Sequence, residues 1–291
     1  MDILTNYTFQ IVALGSVLLA VAAAPVGAFS VYKGQSLIGD AIGHSTFPGI
    51  ILAYMAFATR SPVILLAGAI LAGAASYALI QLAHRDKRLG LDANLAIFLS
   101  GFFGLGMALK SFIQGNPDYA GASQAGLGTY IFGQAAYMLE ADVLLIAVVS
   151  ALVLTLLLLF YKELKLFVFD AEYAEVVGLP CRLLNLLLLV MTIAVIGIGI
   201  KAVGAILISS FLIIPCVAAN QWSNNFARVL FLSSLIGAVS ALVGTYISTL
   251  EQGMSTGPSI ILVASLIAFF SIVFGTKGIL GRVLKRRRTH G

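Results

Sequence analysis

The chain is organised around one early stretch, Gly39-Asp40-Ala41-Ile42-Gly43-His44-Ser45-Thr46-Phe47-Pro48. This stretch places an acid and an imidazole four residues apart inside a long apolar run. Four helical residues rise about 6 Å, close to one turn, so Asp40 and His44 share one face of a helix. An ionisable side chain within a membrane costs roughly 2.5–3.5 kcal/mol on insertion scales and usually faces a cavity or a partner. The stretch therefore predicts a functional site on a membrane-spanning helix.

The composition indicates a polytopic membrane protein. Of the 291 residues, 60% are hydrophobic and only 10% are charged, whereas soluble domains carry about 25% charged residues. No polar stretch is long enough to form a soluble domain, so residues 1–291 are predicted to form a single transmembrane domain in contact with lipid. The net charge of +5 is typical of membrane-protein loops and predicts no nucleic-acid partner. Cys181 and Cys216 are too few for a disulfide framework and are interpreted as free thiols.

Apolar runs divide the chain into eight or nine predicted spans, because a helix needs about 20 apolar residues to cross a bilayer. The predicted fold class is therefore an all-α polytopic membrane protein. The predicted spans are Phe9–Tyr32, Leu37–Thr59, Ser61–Ala83, Ala93–Leu109, Val143–Tyr161, Leu183–Ile200, Ala202–Ala219, Val229–Leu250 and Gly257–Thr276, with Lys201 between the sixth and the seventh.

Basic residues predict the orientation, because cytoplasmic loops are enriched in Lys and Arg. With the Arg85–Arg88 loop inside, 14 of the 17 basic residues lie on cytoplasmic segments, and only Arg60, Lys110 and Lys201 remain outside. The N-terminus is then predicted outside and the C-terminus inside. Residues 277–291 form a basic cytoplasmic tail beside the anionic leaflet in this arrangement.

Two features leave alternatives open. The segment Tyr119–Leu139 is uncharged but rich in Gly, Ser and Gln, so it either spans the membrane or forms a re-entrant or interfacial segment over the external mouth. The second predicted span begins with clustered glycines and contains Pro48. This pattern of glycines and proline is typical of broken helices that build transporter sites, or of helices that pack closely through small residues. Simple counting along this span places Asp40 near its cytoplasmic end.

The chemistry of Asp40 and His44 has two interpretations at this stage. A carboxylate oxygen and an imidazole nitrogen suit Mn²⁺, Fe²⁺ or Zn²⁺. The same residues also form structural hydrogen-bonded pairs within helices. Two ligands do not complete a metal shell, so a metal site here requires further donors.

The cytoplasmic stretch after the fifth predicted span indicates a short surface helix. Asp170 is a typical N-cap residue, the helix is predicted from Ala171 to Val177, and Gly178 ends it. Its exposed face is acidic and aromatic. Periodicity alone does not distinguish a simple linker from a surface that docks on a soluble partner.

Four stretches, found in order along nearly the whole chain, resemble the permease subunits of the ABC-type manganese, zinc and iron importers. They are Ser36–Gly49 (Ser-Leu-x-Gly-Asp-Ala-x-x-His-x-x-x-Pro-Gly), Phe169–Ala174 (Phe-Asp-Pro-Glu-x-Ala, with Ala171 in place of the proline), Val203–Pro215 (Val-Gly, then Leu-Leu-Ile-x-Pro) and Ser255–Ser259 (a Gly-Pro-rich turn).

The resemblance implies a multi-pass permease of a bacterial-type cell membrane that pairs with a second copy or a close relative. Two cytoplasmic ATP-binding subunits would bind the coupling helix Asp170–Val177, and an extracytoplasmic metal-binding protein would deliver the ion. Asp40 and His44 would coordinate or gate this ion. The residues implied in ATPase coupling are Asp170, Ala171, Glu172, Tyr173 and Ala174.

The resemblance predicts a permease and not an enzyme. The chain has no Gly-x-x-x-x-Gly-Lys-[Ser/Thr] loop, so ATP is expected on the partner subunit and no cofactor is expected in this chain. Manganese is favoured over zinc or iron, because a site with few sulfur ligands suits a harder ion. The contact of Cys216 with metal stays open.

Two other functions are alternatives to an ATP-driven importer. An intramembrane metalloenzyme would need a third strong ligand and a water-activating acid in another span. An ion-coupled secondary metal transporter would work without an ATP-binding partner. Co-purification of such a partner distinguishes the secondary transporter from the ATP-driven importer.

Overall fold

The computed structural model describes residues 6–59, 61–85, 89–116, 119, 138–250 and 254–280, and these ranges are helical without β-strands. The predicted all-α fold is confirmed. The helices are α1 (Tyr7–Tyr32), α2 (Ile38–Phe57), α3 (Pro62–Arg85), α4 (Leu91–Gly115), α5 (Glu140–Leu159), α6 (Tyr161–Phe169), α7 (Ala171–Val176), α8 (Cys181–Val203), α9 (Ala205–Asn220), α10 (Phe226–Leu250) and α11 (Thr256–Phe274).

Every predicted span corresponds to one of these helices. Within the described residues, seven helices are long and apolar enough to cross a membrane, namely α1, α3, α4, α5, α8, α10 and α11. The two remaining predicted spans correspond to α2 and α9, which have 20 and 16 residues. The segment Tyr119–Leu139 and the tail 277–291 lie largely outside the described residues, and the sidedness of the termini stays a prediction.

Helix α1 lies at the centre of the bundle. It packs against α5, α8, α9 and α10, whereas α2 packs against α3, α4 and α9. Leu19, Val26 and Phe29 of α1 are fully buried, as expected for a helix that is apolar on every face. Because α9 contacts both α1 and α2, it fixes the position of α2 relative to the central helix.

Two glycines permit the closest helix contacts near α2. A Cβ atom added to Gly27 of α1 would lie 1.9 Å from the carbonyl oxygen of Leu212 on α9. A Cβ atom added to Gly49 of α2 would lie 2.2 Å from the carbonyl oxygen of Gly68 on α3. Small residues of this kind allow membrane helices to approach through their backbones, so α1, α9, α2 and α3 form one tightly packed unit.

The break between α8 and α9 falls on a single residue, Gly204, with φ 96° and ψ 156°. Glycine adopts positive φ without a steric penalty. The chain turns sharply at Gly204. As a result, the side chain of Ile208 in α9 packs against Gly199 in α8. The predicted division at Lys201 is therefore displaced, and the backbone of Lys201 belongs to α8.

Helix α2 is continuous from Ile38 to Phe57, with Pro48 inside it. The broken-helix interpretation of this span is therefore wrong for α2, and its glycines serve close packing. The interruption that a transporter fold often shows lies instead at Gly204, between α8 and α9.

Helix α6 was not predicted from the sequence. It follows α5 after one residue, Phe160, and buries Leu164 and Phe167 against the bundle. Its nine residues are too few for a helical period to stand out from the apolar run before it. Since only Asp170 separates α6 from α7, α6 determines where the predicted coupling helix lies.

Candidate functional site

Asp40 and His44 lie within one turn of α2, as their spacing predicted. The Nε2 atom of His44 is 3.5 Å from Oδ1 of Asp40. The side chain of Asp40 is 29% exposed and that of His44 is 13% exposed. Within the part of the chain that the structure describes, the buried Nδ1 atom of His44 has no hydrogen-bond partner. This partial exposure and the unpartnered nitrogen leave donor atoms of the pair available to a ligand.

Ser209 of α9 is a third member of the site. Its hydroxyl donates a hydrogen bond of 2.9 Å to Oδ1 of Asp40. Helix α9 is held in place because its Leu212 packs closely against Gly27 of α1 and Gly39 of α2. Ser209 therefore orients the carboxylate of Asp40 from a helix that is distant in sequence.

Asp40 lies in the first turn of α2, near the end of that helix as counting along the span predicted, and its partner Ser209 lies far along α9. Ser209 is about 16 Å along the α9 axis from Asn220, at 1.5 Å per residue. Asn220 accepts a hydrogen bond of 2.9 Å from the hydroxyl of Tyr32 at the end of α1. The Asp40 carboxylate is thus held well inside from the end that α1 and α9 share.

An aromatic wall completes one side of the site. The ring of Phe103 on α4 lies 4.9 Å from the His44 ring, measured between centroids, in an edge-to-face arrangement at 86°. Phe47 packs against the same phenylalanine at 6.3 Å. These contacts restrict rotation of the imidazole, so its ring nitrogens point in defined directions.

Ser209 and Phe103 were missed by sequence reasoning for different reasons. The sequence did show Ser209 as a polar residue in the seventh predicted span, within a stretch that carries the family resemblance, but its partner was not apparent. Phe103 has no comparable signal, because a phenylalanine that faces a site and one that faces lipid look alike in a single sequence.

The donor set of this site is a carboxylate, an imidazole and a hydroxyl. Among the described residues there is no group of three or more His, Cys, Asp and Glu side chains that would hold a metal. Cys216 is buried and lies two turns along α9 from Ser209, about 10 Å away along the axis. The structure therefore places Cys216 two turns away from the residue that bonds to Asp40.

The predicted surface helix is confirmed at Ala171–Val176. Oδ1 of Asp170 accepts a hydrogen bond of 2.9 Å from the backbone N–H of Tyr173, so Asp170 is the N-cap. Ala174 is buried and anchors the helix. Tyr173 and Val176 are 55% and 83% exposed. Exposed aromatic and branched side chains on a short, capped helix form a surface suited to a partner.

Aromatic rings connect this surface helix to the core of the bundle. Phe169, directly before Asp170, packs against Tyr32 of α1 and Phe226 of α10, with ring centroids 5.4 and 5.2 Å apart. The structure thus holds the residue before the Asp170–Ala174 segment against the end of α1, whereas α7 itself contacts α6 and α8. It does not place this segment in the Asp40 site.

The structure combines helices that are apolar enough to cross a membrane with one polar pair held inside the bundle. This combination defines a multi-pass membrane protein of the permease class. The model of the ABC 3 transport family matches residues 5–275, and the chain belongs to this family. The family membership predicted from the four sequence stretches is thereby confirmed, as is the membrane location.

Relatives match over almost the whole chain. The zinc transport system membrane protein TroC of Treponema pallidum is 39% identical over 289 residues, which are 99% of this chain and 96% of that protein. The manganese transport system membrane protein MntC of Bacillus subtilis is 38% identical over 285 residues, which are 96% of this chain and 65% of that protein. The solved structure of PsaBC from Streptococcus pneumoniae in complex with Fab is 27% identical, with a TM-score of 0.83 and coverage of 98% of this chain and 96% of that chain.

Proposed function

We propose that this chain is the transmembrane subunit of an ATP-driven importer of a divalent transition metal ion. The carrying observation is the Asp40, His44 and Ser209 arrangement, which directs oxygen and nitrogen donors into the bundle of a chain of the ABC 3 transport family. Asp40 and His44 are the ion's ligands in this proposal, and Ser209 orients the carboxylate. The ion is the cargo and passes this point during each transport cycle.

Manganese is the favoured cargo. The relatives named for zinc and for manganese are almost equally similar to this chain, at 39% and 38% identity, so similarity does not choose between the ions. The donor set contains oxygen and nitrogen without sulfur, and such donors suit a harder ion. Zinc and iron are alternatives for the same site.

Three partners follow from this proposal. Cytoplasmic ATP-binding subunits dock on Asp170–Val177, an extracytoplasmic metal-binding protein delivers the ion, and a second copy of the permease completes the assembly. The second copy is supported by the small donor set, because two strong ligands from one chain are fewer than the four or more that metal sites use. Asp40 is also partly exposed, which leaves it accessible to donors from a second chain or from water.

The function is tested by uptake into proteoliposomes that contain the permease, its ATP-binding subunit and its metal-binding protein. We expect ATP-dependent transport of radioactive manganese, with zinc and iron as weaker competitors because they share the site. Transport that proceeds equally without ATP would contradict the ATP-driven mechanism and support a secondary transporter. Failure to move any of the three ions would contradict metal import.

Docking of the ATP-binding subunit is tested with Tyr173→Ala. Truncation removes an exposed aromatic side chain from the docking surface, and aromatic anchors often contribute 2 kcal/mol or more to binding, roughly a 30-fold loss of affinity. The measurement is co-purification of the ATP-binding subunit with the tagged permease. Phe269→Ala is the matched control, because Phe269 is 69% exposed on the membrane-spanning helix α11. Equal recovery with both variants would contradict docking at Tyr173.

A further inference from the structure

Lys33 lies in the connection between α1 and α2, and its side chain turns inward. Its ammonium donates a hydrogen bond to Oδ1 of Asn185 on α8. The same ammonium lies 4.7 Å from the centroid of the Phe167 ring on α6, within range of a cation–π interaction. Burial lowers the pKa of Lys33 to about 8. Lys33 is therefore partly buried and contacts two helices, α8 and α6, whereas a lysine at a membrane boundary usually extends into solvent.

The contacts of Lys33 extend to a third helix. Nδ2 of Asn185 donates a hydrogen bond of 2.8 Å to the hydroxyl of Tyr77 on α3, and Gln81 donates a second hydrogen bond to that hydroxyl. We name Lys33, Asn185, Tyr77 and Gln81 the Lys33 cluster. The cation is bonded here to neutral groups, and a hydrogen bond with one charged partner contributes more to stability than one between two neutral groups. These contacts therefore hold the connection between α1 and α2 against α6 and α8.

Lys33 is directly linked to the helix that carries Asp40. The connection is tightly turned, because Gln35 N–H donates to the carbonyl oxygen of Ser30 and Ile38 N–H donates to that of Gln35, at 2.9 and 3.1 Å. Ile38 is the first residue of α2. A displacement of Lys33 is therefore expected to move the start of α2, because these hydrogen bonds hold the connection rigid.

Lys33 is also directly linked to the coupling segment. Phe167 is buried in α6, and α6 is joined to α7 through Asp170 alone. Lys33 therefore contacts the helix that precedes the docking surface while it stands at the entrance to the helix that holds Asp40 and His44.

We propose that Lys33 is a positioning residue that couples movement of α6 and α7 to α2, and thereby to the metal site. The inference rests on the proposed function. A push on α7 moves Phe167 and changes the contact between its ring and Lys33. The connection between α1 and α2 follows, and the orientation of Asp40 and His44 changes with it. Lys33 acts through these contacts and does not touch the ion.

The test is Lys33→Met in the full reconstituted assembly, because methionine keeps an apolar stem of similar length and removes the ammonium. ATP hydrolysis is expected to continue, whereas the amount of metal transported per ATP hydrolysed falls roughly tenfold, within the range of ordinary coupling free energies. This ratio separates a coupling role from a general loss of folded protein, which lowers both rates together. Lys165→Met is the matched control, since Lys165 is an exposed lysine on α6.

Asn185→Leu provides an independent variant from the same cluster and carries the test if Lys33→Met does not fold. The double variant is expected to show less than the sum of the two single defects, because both single variants remove the hydrogen bond between Lys33 and Asn185. Unchanged metal transport per ATP in the folded variants would overturn the assignment of Lys33, and so would additive defects. Absence of ATP-dependent uptake by the wild-type assembly would overturn the proposed function as well, so the two failures are distinguishable.

Discussion

Asp40→Asn is expected to weaken metal binding and uptake by roughly 100-fold, since loss of a residue that only supports a metal ligand already costs about 10–100-fold in metal affinity. Asparagine keeps the size of the side chain, and its oxygen still accepts the hydrogen bond of Ser209. The change therefore removes the negative charge that attracts the cation and leaves the local packing in place. The measurement is the concentration dependence of manganese uptake in the reconstituted assembly.

Asp92→Asn is the matched control, because Asp92 is an exposed acid in the first turn of α4. Its uptake should equal that of the wild-type protein. The thermal stability of Asp40→Asn in detergent should be close to wild type, which would show that a lost site and not a lost fold explains the defect. Wild-type uptake by Asp40→Asn would contradict the assignment of this residue as a ligand.

Gly27→Ala is expected to destabilise the bundle and to reduce transport, although Gly27 does not contact the ion. The added methyl group would lie 1.9 Å from the carbonyl oxygen of Leu212, so α9 must move away by roughly 1.5 Å to restore a normal contact. Overpacking of this kind costs about 1–3 kcal/mol, which corresponds to a fall of roughly 5 °C in the unfolding temperature. The displaced helix carries Ser209, so the orientation of Asp40 changes with it.

The measurement is thermal unfolding of the purified permease in detergent, followed by uptake in the reconstituted assembly. Gly115→Ala is the control, since a methyl group at this last residue of α4 meets no atom within 4 Å. Its unfolding temperature should stay the same or rise slightly, because alanine favours helix more than glycine does. Equal stability of the two variants would show that α1 and α9 separate without cost.

Local sequence signals predicted the elements that local interactions determine. The N-cap of Asp170 needs only the backbone of Tyr173, three residues later, and the prediction of that helix was confirmed. The shared face of Asp40 and His44 follows from the geometry of one turn. Each predicted span likewise corresponds to a helix among the described residues, because the length of an apolar run is a property of the segment itself.

Contacts between distant segments were beyond this reasoning. Ser209 is far from Asp40 in sequence, and their hydrogen bond depends on how α9 packs against α1 and α2. The same packing brings α9 against the carboxylate of Asp40, which counting along one span does not show. The turn at Gly204 was also missed, because a charged Lys201 nearby was a more obvious boundary than a single glycine. The metal role of Asp40 and His44 stays a prediction.

The one-residue turn at Gly204 has a consequence for how the protein is made. With 16 residues, α9 is about 24 Å long, shorter than the roughly 30 Å of the hydrocarbon core. A helix of this length partitions poorly into lipid by itself, whereas α8 is long and apolar enough to do so. Because Gly204 leaves no linker between them, α9 is expected to leave the translocon together with α8 as a helical hairpin. Ser209 then reaches Asp40 only after α1 and α2 are already in the membrane, so the site is completed late in biogenesis.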